Sequence, residues 1–136
     1  MDSAAGARAS STQKRVFKDI HGYGSPYVYI HPYKQKDVYE VIQNAKKYDW
    51  IEYIIIFGSS VSLVCKDTSD VDVCIIGEKP KNFSVDILRD IEKRFDFLCF
   101  ESSEDIKSEA LKNKYSLEAR IYESGVIVYD RVNRLT

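Results

Sequence analysis

A glycine-serine pair and a pair of aspartates lie close together in the chain, and they are the residues best suited to do chemistry. Gly58 and Ser59 follow the β-branched run that ends at Phe57, and Asp70 and Asp72 stand at the start of the next apolar run. A glycine at a strand end lets the backbone approach a ligand closely, and N–H groups at the start of a helical turn bind phosphate oxygens. The Ser59 hydroxyl adds a further donor. We therefore predict a phosphate cradle at this pair.

The aspartates predict a site for a divalent metal. Residues two apart in a strand share one face, about 6.6 Å from each other, so Asp70 and Asp72 are expected to point the same way. Paired carboxylates beside a phosphate suit Mg²⁺ or Mn²⁺. A third acid, Asp96, lies inside the apolar run Phe95–Phe100. An ionisable group in such a run is unfavourable unless it pairs or binds metal, so we predict that Asp96 is a metal ligand or the general base for an attacking hydroxyl. The alternative is a residue at the strand end that faces solvent.

Alternating strand and helix patterns surround these residues and predict the elements that position them. The apolar periodicity predicts an α/β fold with a mixed sheet flanked by helices. The expected strands are a short one near Tyr27–His31 and four others at Trp50–Phe57, Val71–Ile76, Phe95–Phe100 and Val126–Tyr129. The expected helices lie around Val38–Ala45, from Asn82 or Ser84 to Phe95, after the capping box that Ser102 and Asp105 would form, and at Ser116–Ser124 before Gly125.

Length and composition limit the class of protein. The 136 residues, with a formal net charge of −1, fit one domain and give no bulk attraction to nucleic acid or membranes. We assign residues 1–15 to a flexible N-terminal tail and residues 16–136 to the domain. The three cysteines are too few for a disulfide scaffold or a zinc site, and free buried thiols in a reducing cytoplasm are expected. No secretory signal or membrane-spanning run is visible.

The stretch from about Val38 to Tyr129 resembles the nucleotidyltransferase superfamily that includes DNA polymerase beta, and within it the minimal nucleotidyltransferases. The shared signature is Gly58-Ser59, then Asp70-x-Asp72, then Asp96 on a later strand. The resemblance implies transfer of a nucleoside monophosphate, with AMP from ATP the expected case, and loss of pyrophosphate in a reaction that uses Mg²⁺ or Mn²⁺. It makes Asp70, Asp72 and Asp96 the catalytic residues and metal ligands, and Gly58 and Ser59 the nucleotide-binding residues.

One departure from the family pattern leaves the level of activity open. Family members commonly follow Gly-Ser with a small residue, an arginine and a glycine, whereas this chain reads Ser60-Val61-Ser62-Leu63. The arginine is missing, and Lys66 in the same loop is the candidate nucleotide-binding substitute. The alternative to an active enzyme is therefore a weak or inactive binding module that keeps the fold and neutralises a partner protein.

The acceptor of the transferred group is expected to come from another molecule. The sequence ends soon after Tyr129, so we expect no large acceptor-binding domain. In the minimal family that the chain resembles, the partner is often a helical HEPN-type toxin modified on tyrosine, which would make this protein an antitoxin. The other interpretation is a homodimer that holds a small-molecule acceptor between its subunits.

Overall fold

The computed structural model describes residues 14–90 and 92–132. Of the predicted tail, residues 1–13 lie outside the described residues and only Lys14 and Arg15 are described. None of the helices in the described ranges is long and apolar enough to cross a membrane.

A four-stranded mixed sheet is the centre of the fold. The strands are β1 (Tyr53–Phe57), β2 (Val71–Ile76), β3 (Phe95–Phe100) and β4 (Val126–Asp130). Their order across the sheet is β3-β2-β1-β4, with β1 antiparallel to both β2 and β4, and β2 parallel to β3. The predicted α/β class with a mixed sheet is confirmed.

The two faces of the sheet bury separate apolar clusters. Helix α1 (Pro32–Ala45) covers one face, where its apolar stripe of Val38, Val41 and Ile42 joins the main core. Helices α2 (Ser103–Lys112) and α3 (Leu117–Ser124) cover the other face with a smaller cluster that contains Ile106 and Ile121. Because side chains alternate along a strand, each strand contributes to both clusters.

Local sequence signals set the ends of the helices. The His31 side chain caps α1, whose first residue is a proline. The predicted capping box is present, and the Asp105 carboxylate accepts a hydrogen bond from the Ser102 N–H. Ser116 caps α3 through its hydroxyl, and Gly125 ends that helix.

Two predicted elements are wrong. The predicted strand near Tyr27–His31 is a 3₁₀ turn over Tyr27–Tyr29. The fully buried amide of Gln35 donates hydrogen bonds to the carbonyls of Tyr27 and Ile30, so the segment needs no neighbouring strand to satisfy them.

The helix predicted from Asn82 or Ser84 to Phe95 is also absent from the described part of that range. Ser84 caps only a single 3₁₀ turn, Val85–Leu88, and Arg89 is already extended. Phe95 belongs to β3, where it pairs with Val71, so it cannot share a helical face with Leu88. The predicted contribution of Ile91 lies outside the described residues.

Candidate active site

The end of β1 turns sharply at Gly58, directly beside Asp72. Phe57 pairs in register with Asp72 on β2, and Gly58 follows with φ +75°, a conformation that L side chains rarely adopt. A Cβ atom at residue 58 would collide with the Asp72 carboxylate. The chain then forms a short 3₁₀ turn, Gly58–Val61. The glycine is therefore needed twice, for the turn and for the close approach of the carboxylate.

Asp72 and Asp96 are neighbours across the sheet. They are paired residues of the parallel strands β2 and β3, so both side chains point to the face that α2 and α3 cover. Adjacent strands lie about 4.8 Å apart, which brings the two carboxylates close to one another. The structure thus brings together Gly58, Asp72 and Asp96 at the end of the sheet where β1 finishes and β2 and β3 begin.

The environment of Asp72 disfavours its negative charge. Burial raises the pKa of this carboxyl group, and the charges of Asp96 and Asp70 raise it further, while Arg120 acts in the opposite direction. Like charges brought together in a partly buried place favour a bound cation that would compensate them. Carboxylate oxygens are the ligands that hard divalent cations prefer, so the chemistry of these residues fits a bound Mg²⁺ or Mn²⁺.

The three acids are not gathered into one cluster. Asp70 lies outside β2, two residues before Asp72. Among the groups that shift the pKa of Asp72, Asp70 has the smallest effect. Across residues 14–90 and 92–132, no three His, Cys, Asp or Glu side chains meet closely enough to hold a metal ion. The assignment of all three acids as ligands stays a prediction.

Asp96 differs from its sequence-based description in one respect. It is exposed to solvent, because β3 is an edge strand whose side chains are nowhere fully buried. The argument that an apolar strand must bury and therefore pair this acid is wrong. Its placement beside Asp72 follows from the strand register instead, and exposure leaves it accessible to a substrate. Cys99 on the same strand is likewise exposed, contrary to the expectation of buried thiols, whereas Cys65 and Cys74 are buried.

The serines of the turn have different surroundings. The Ser59 side chain hydrogen-bonds the Cys65 thiol, whose pKa is raised by burial and lowered in part by Lys34 and by this hydrogen bond. Ser60 is fully buried, and its hydroxyl has no hydrogen-bond partner among the described residues. Ser59 remains partly exposed next to Gly58, as a phosphate ligand must be.

Two contacts from the start of α1 hold the loop that carries the motif. The His31 N–H donates to the Ser60 carbonyl at 2.7 Å, and Lys34 Nζ donates to the Asp67 carbonyl at 2.9 Å. Helix α1 therefore fixes both the turn that contains Ser59 and the segment that leads to Asp70. Nothing in the spacing of the motif indicated this role for Lys34.

The role of Lys66 as the substitute for the missing arginine stays a prediction. Lys66 is exposed, and its side chain makes no hydrogen bond or salt bridge with the described residues, although its N–H donates to Ser69 Oγ at 3.0 Å. The cation that acts on Asp72 is Arg120 of α3, which sequence reasoning missed. Its only signal in the sequence is a positive charge beside Ala119 and Ile121, the buried positions of that helix.

Comparison with known proteins supports one family. The family model described as "Polymerase beta, Nucleotidyltransferase" matches residues 39–134, well over half of the chain and all of the Gly58 to Asp96 stretch. A comparison with curated proteins finds no significant match. With its mixed sheet, the glycine turn at the end of β1 and the acids of β2 and β3, the chain belongs to the polymerase beta nucleotidyltransferase family.

Proposed function

We propose that the protein is a nucleotidyltransferase that moves a nucleoside monophosphate, AMP from ATP, onto a hydroxyl group of a protein or small molecule. The observation that carries the proposal is the register pair of Asp72 and Asp96 beside the Gly58 turn. The family match supports nucleotidyl transfer in general. The donor, the acceptor and the metal are part of the proposal.

Each residue of the candidate active site has a distinct task in this reaction. The Gly58–Val61 turn, through its backbone and the Ser59 hydroxyl, binds the phosphates of the donor. Asp72 and Asp96, with Asp70, would hold Mg²⁺, which when bound neutralises charge on the phosphates. Arg120 provides a further positive charge near Asp72.

Asp96 is suited to the proton transfer because it is exposed and faces the same way as Asp72. It accepts the proton of the acceptor hydroxyl as that oxygen forms its bond to the α-phosphorus. The bond from the α-phosphorus to its bridging oxygen breaks, and pyrophosphate leaves with that oxygen. The acceptor keeps the nucleoside monophosphate, so atoms and charge balance.

The test is transfer of label from α-³²P-ATP to protein in a cell lysate, with Mg²⁺ present. Wild type should label an acceptor, and Asp96→Asn should lower the rate by about 10²–10⁴, the usual loss for a positioned general base. The matched control is Asp49→Asn, because Asp49 is also exposed but lies outside the site. Equal transfer by wild type and Asp96→Asn would remove Asp96 from the proposal.

A second candidate function is a binding module without transfer. It is favoured by Ser60-Val61-Ser62-Leu63 standing where an arginine is usual in this family. In this case the partner is a helical toxin that the chain neutralises by contact. Wild type would then transfer no label, and its affinity for the partner would not change in Asp96→Asn.

A further inference from the structure

A polar cleft lies beside the start of α1, at the end of the sheet where β2 and β3 begin. Its volume is about 430 Å³, within the range of about 300–1,000 Å³ that small-molecule sites occupy. The first turns of α1, the loop before β2 and the loop before β3 form its walls. The lining includes four cationic side chains and two aliphatic hydroxyl groups, namely those of Lys34, Lys36, Lys93, Arg94, Thr68 and Ser69.

The buried Lys34 is the feature that needs explanation. Its side chain lines the cleft although the residue is only 5% exposed. Its ammonium group donates to the Asp67 carbonyl but forms no salt bridge with any described residue. Burying a charge without a counterion is costly. An anion in the cleft would supply the missing charge and accept from the remaining donors.

The carboxylates of the cleft neutralise only one of its cations through a salt bridge. Three carboxylates line it, and one of them, Asp37, is paired with Lys93 at 3.8 Å. The remaining two, Asp67 and Glu92, are exposed. Lys36 and Arg94 have no salt-bridge partner among the described residues. With Lys34, they place around one cavity three cations that have no salt bridge among the described residues.

This set of donors suits a phosphate group. Ammonium and guanidinium groups bind phosphate oxygens through charge-assisted hydrogen bonds, and Arg94 can offer two parallel donors. Ser69 already accepts a hydrogen bond from Lys66 N–H, so its own O–H is free to donate. A phosphate has enough acceptor oxygens to engage these donors together.

The loops that line the cleft lead directly into the two strands that carry the acids of the candidate active site. Ser69 directly precedes Asp70, and Arg94 lies two residues before Asp96 and accepts the Val71 N–H through its carbonyl at 2.9 Å. We propose that this cleft binds a phosphate group of the acceptor, so that the hydroxyl to be modified belongs to a phosphorylated compound. Binding of phosphate does not depend on the proposed transfer activity, but the role as acceptor site rests on the proposed function.

Phosphate binding is tested by titrating inorganic phosphate into the ¹⁵N-labelled full chain without metal or nucleotide. We expect saturable shifts at the amides of Lys34, Ser69 and Arg94. Affinity should fall about tenfold in Lys34→Met and several-fold in Arg94→Gln, and stay unchanged in the control Lys47→Met, an exposed lysine outside the cleft. Arg94 is exposed, so its substitution tests the site even where Lys34→Met disturbs folding. Equal affinities in wild type and Arg94→Gln, or shifts that do not saturate, would overturn the site.

A second titration, with a non-hydrolysable ATP analogue and Mg²⁺ already bound, identifies the source of the phosphate. An acceptor site predicts that inorganic phosphate still binds with the same shifts. If the analogue itself shifts these amides and displaces phosphate, the cleft belongs to the donor and the acceptor assignment fails. Because the first titration contains no nucleotide, failure of the proposed transfer would leave its result unchanged, and the two failures are distinguishable.

Discussion

Replacing Gly58 by alanine should reveal how closely the Asp72 carboxylate approaches the turn. A non-glycine residue in the left-handed region costs about 1–2 kcal/mol, and residue 58 has φ +75°. The added Cβ would also meet Asp72, with the carboxylate carbon at 3.2 Å and one of its oxygens closer still. The Asp72 side chain would have to leave its rotamer to relieve this overlap, which costs about 0.5–1.5 kcal/mol more. We expect Gly58→Ala to lower the free energy of unfolding by about 1.5–3.5 kcal/mol.

The chain contains a matched control for this substitution. Gly22 also has φ +75°, but nothing lies within 4 Å of the Cβ it would acquire. Gly22→Ala should therefore show the backbone cost alone, about 1–2 kcal/mol. In an Asp72→Ala background, where the opposing carboxylate is gone, the cost of Gly58→Ala should fall to that of Gly22→Ala.

Urea unfolding of the single and double variants measures these free energies, given a constant slope with denaturant. Equal destabilisation by Gly58→Ala and Gly22→Ala would refute the close approach of Asp72 to the turn. So would an unchanged cost of Gly58→Ala after the Asp72 side chain is removed.

Three further substitutions probe the acid pair, the cradle and the cap of α1. Asp72→Asn should raise the melting temperature measured in chelator, because burial and Asp96 penalise the charge of Asp72 in the native state. A lower melting temperature would contradict this reasoning. The same substitution should weaken metal-dependent nucleotide binding at least tenfold, about 1.4 kcal/mol. Ser59→Ala should weaken triphosphate binding more than monophosphate binding in calorimetry, and equal losses would contradict a role for its hydroxyl at the distal phosphates. His31 accepts the Tyr33 N–H as a neutral cap, and burial, then Lys34, lower its pKa. The contribution of this cap to stability should be complete above the unfolded pKa of about 6.5 and lost as pH falls through the lower folded pKa. Thermal melts should therefore show that wild type loses more stability on acidification than His31→Asn. Equal losses in the two proteins would refute the capping role.

The parts of the fold that sequence predicted are those with local causes. The strand runs that end at Phe57 and Ile76, and the capping box of Ser102 and Asp105, depend on neighbours in the chain, and the structure confirms them. The helix predicted up to Phe95 was wrong because strand pairing with Val71 takes that residue. Tertiary contacts override local periodicity there.

The same distinction between local and tertiary causes applies to the candidate site. The spacing of the motif indicated Gly58 and Asp72, and the strand register places them together. The sequence could not decide whether Asp96 is buried or faces solvent, because this depends on β3 being the edge strand of the sheet. Arg120 and Lys34 come from helices distant in sequence, and only the packing of those helices brings them to the motif.

The position of the transferred phosphorus tests the central claim most directly. Wild-type protein is incubated with lysate, Mg²⁺ and ATP labelled at either the α- or the γ-phosphate, and the acceptor is then isolated. Nucleotidyl transfer predicts that label from the α-phosphate joins the acceptor and label from the γ-phosphate leaves as pyrophosphate. Label on the acceptor from the γ-phosphate, or none from either position, would contradict the account.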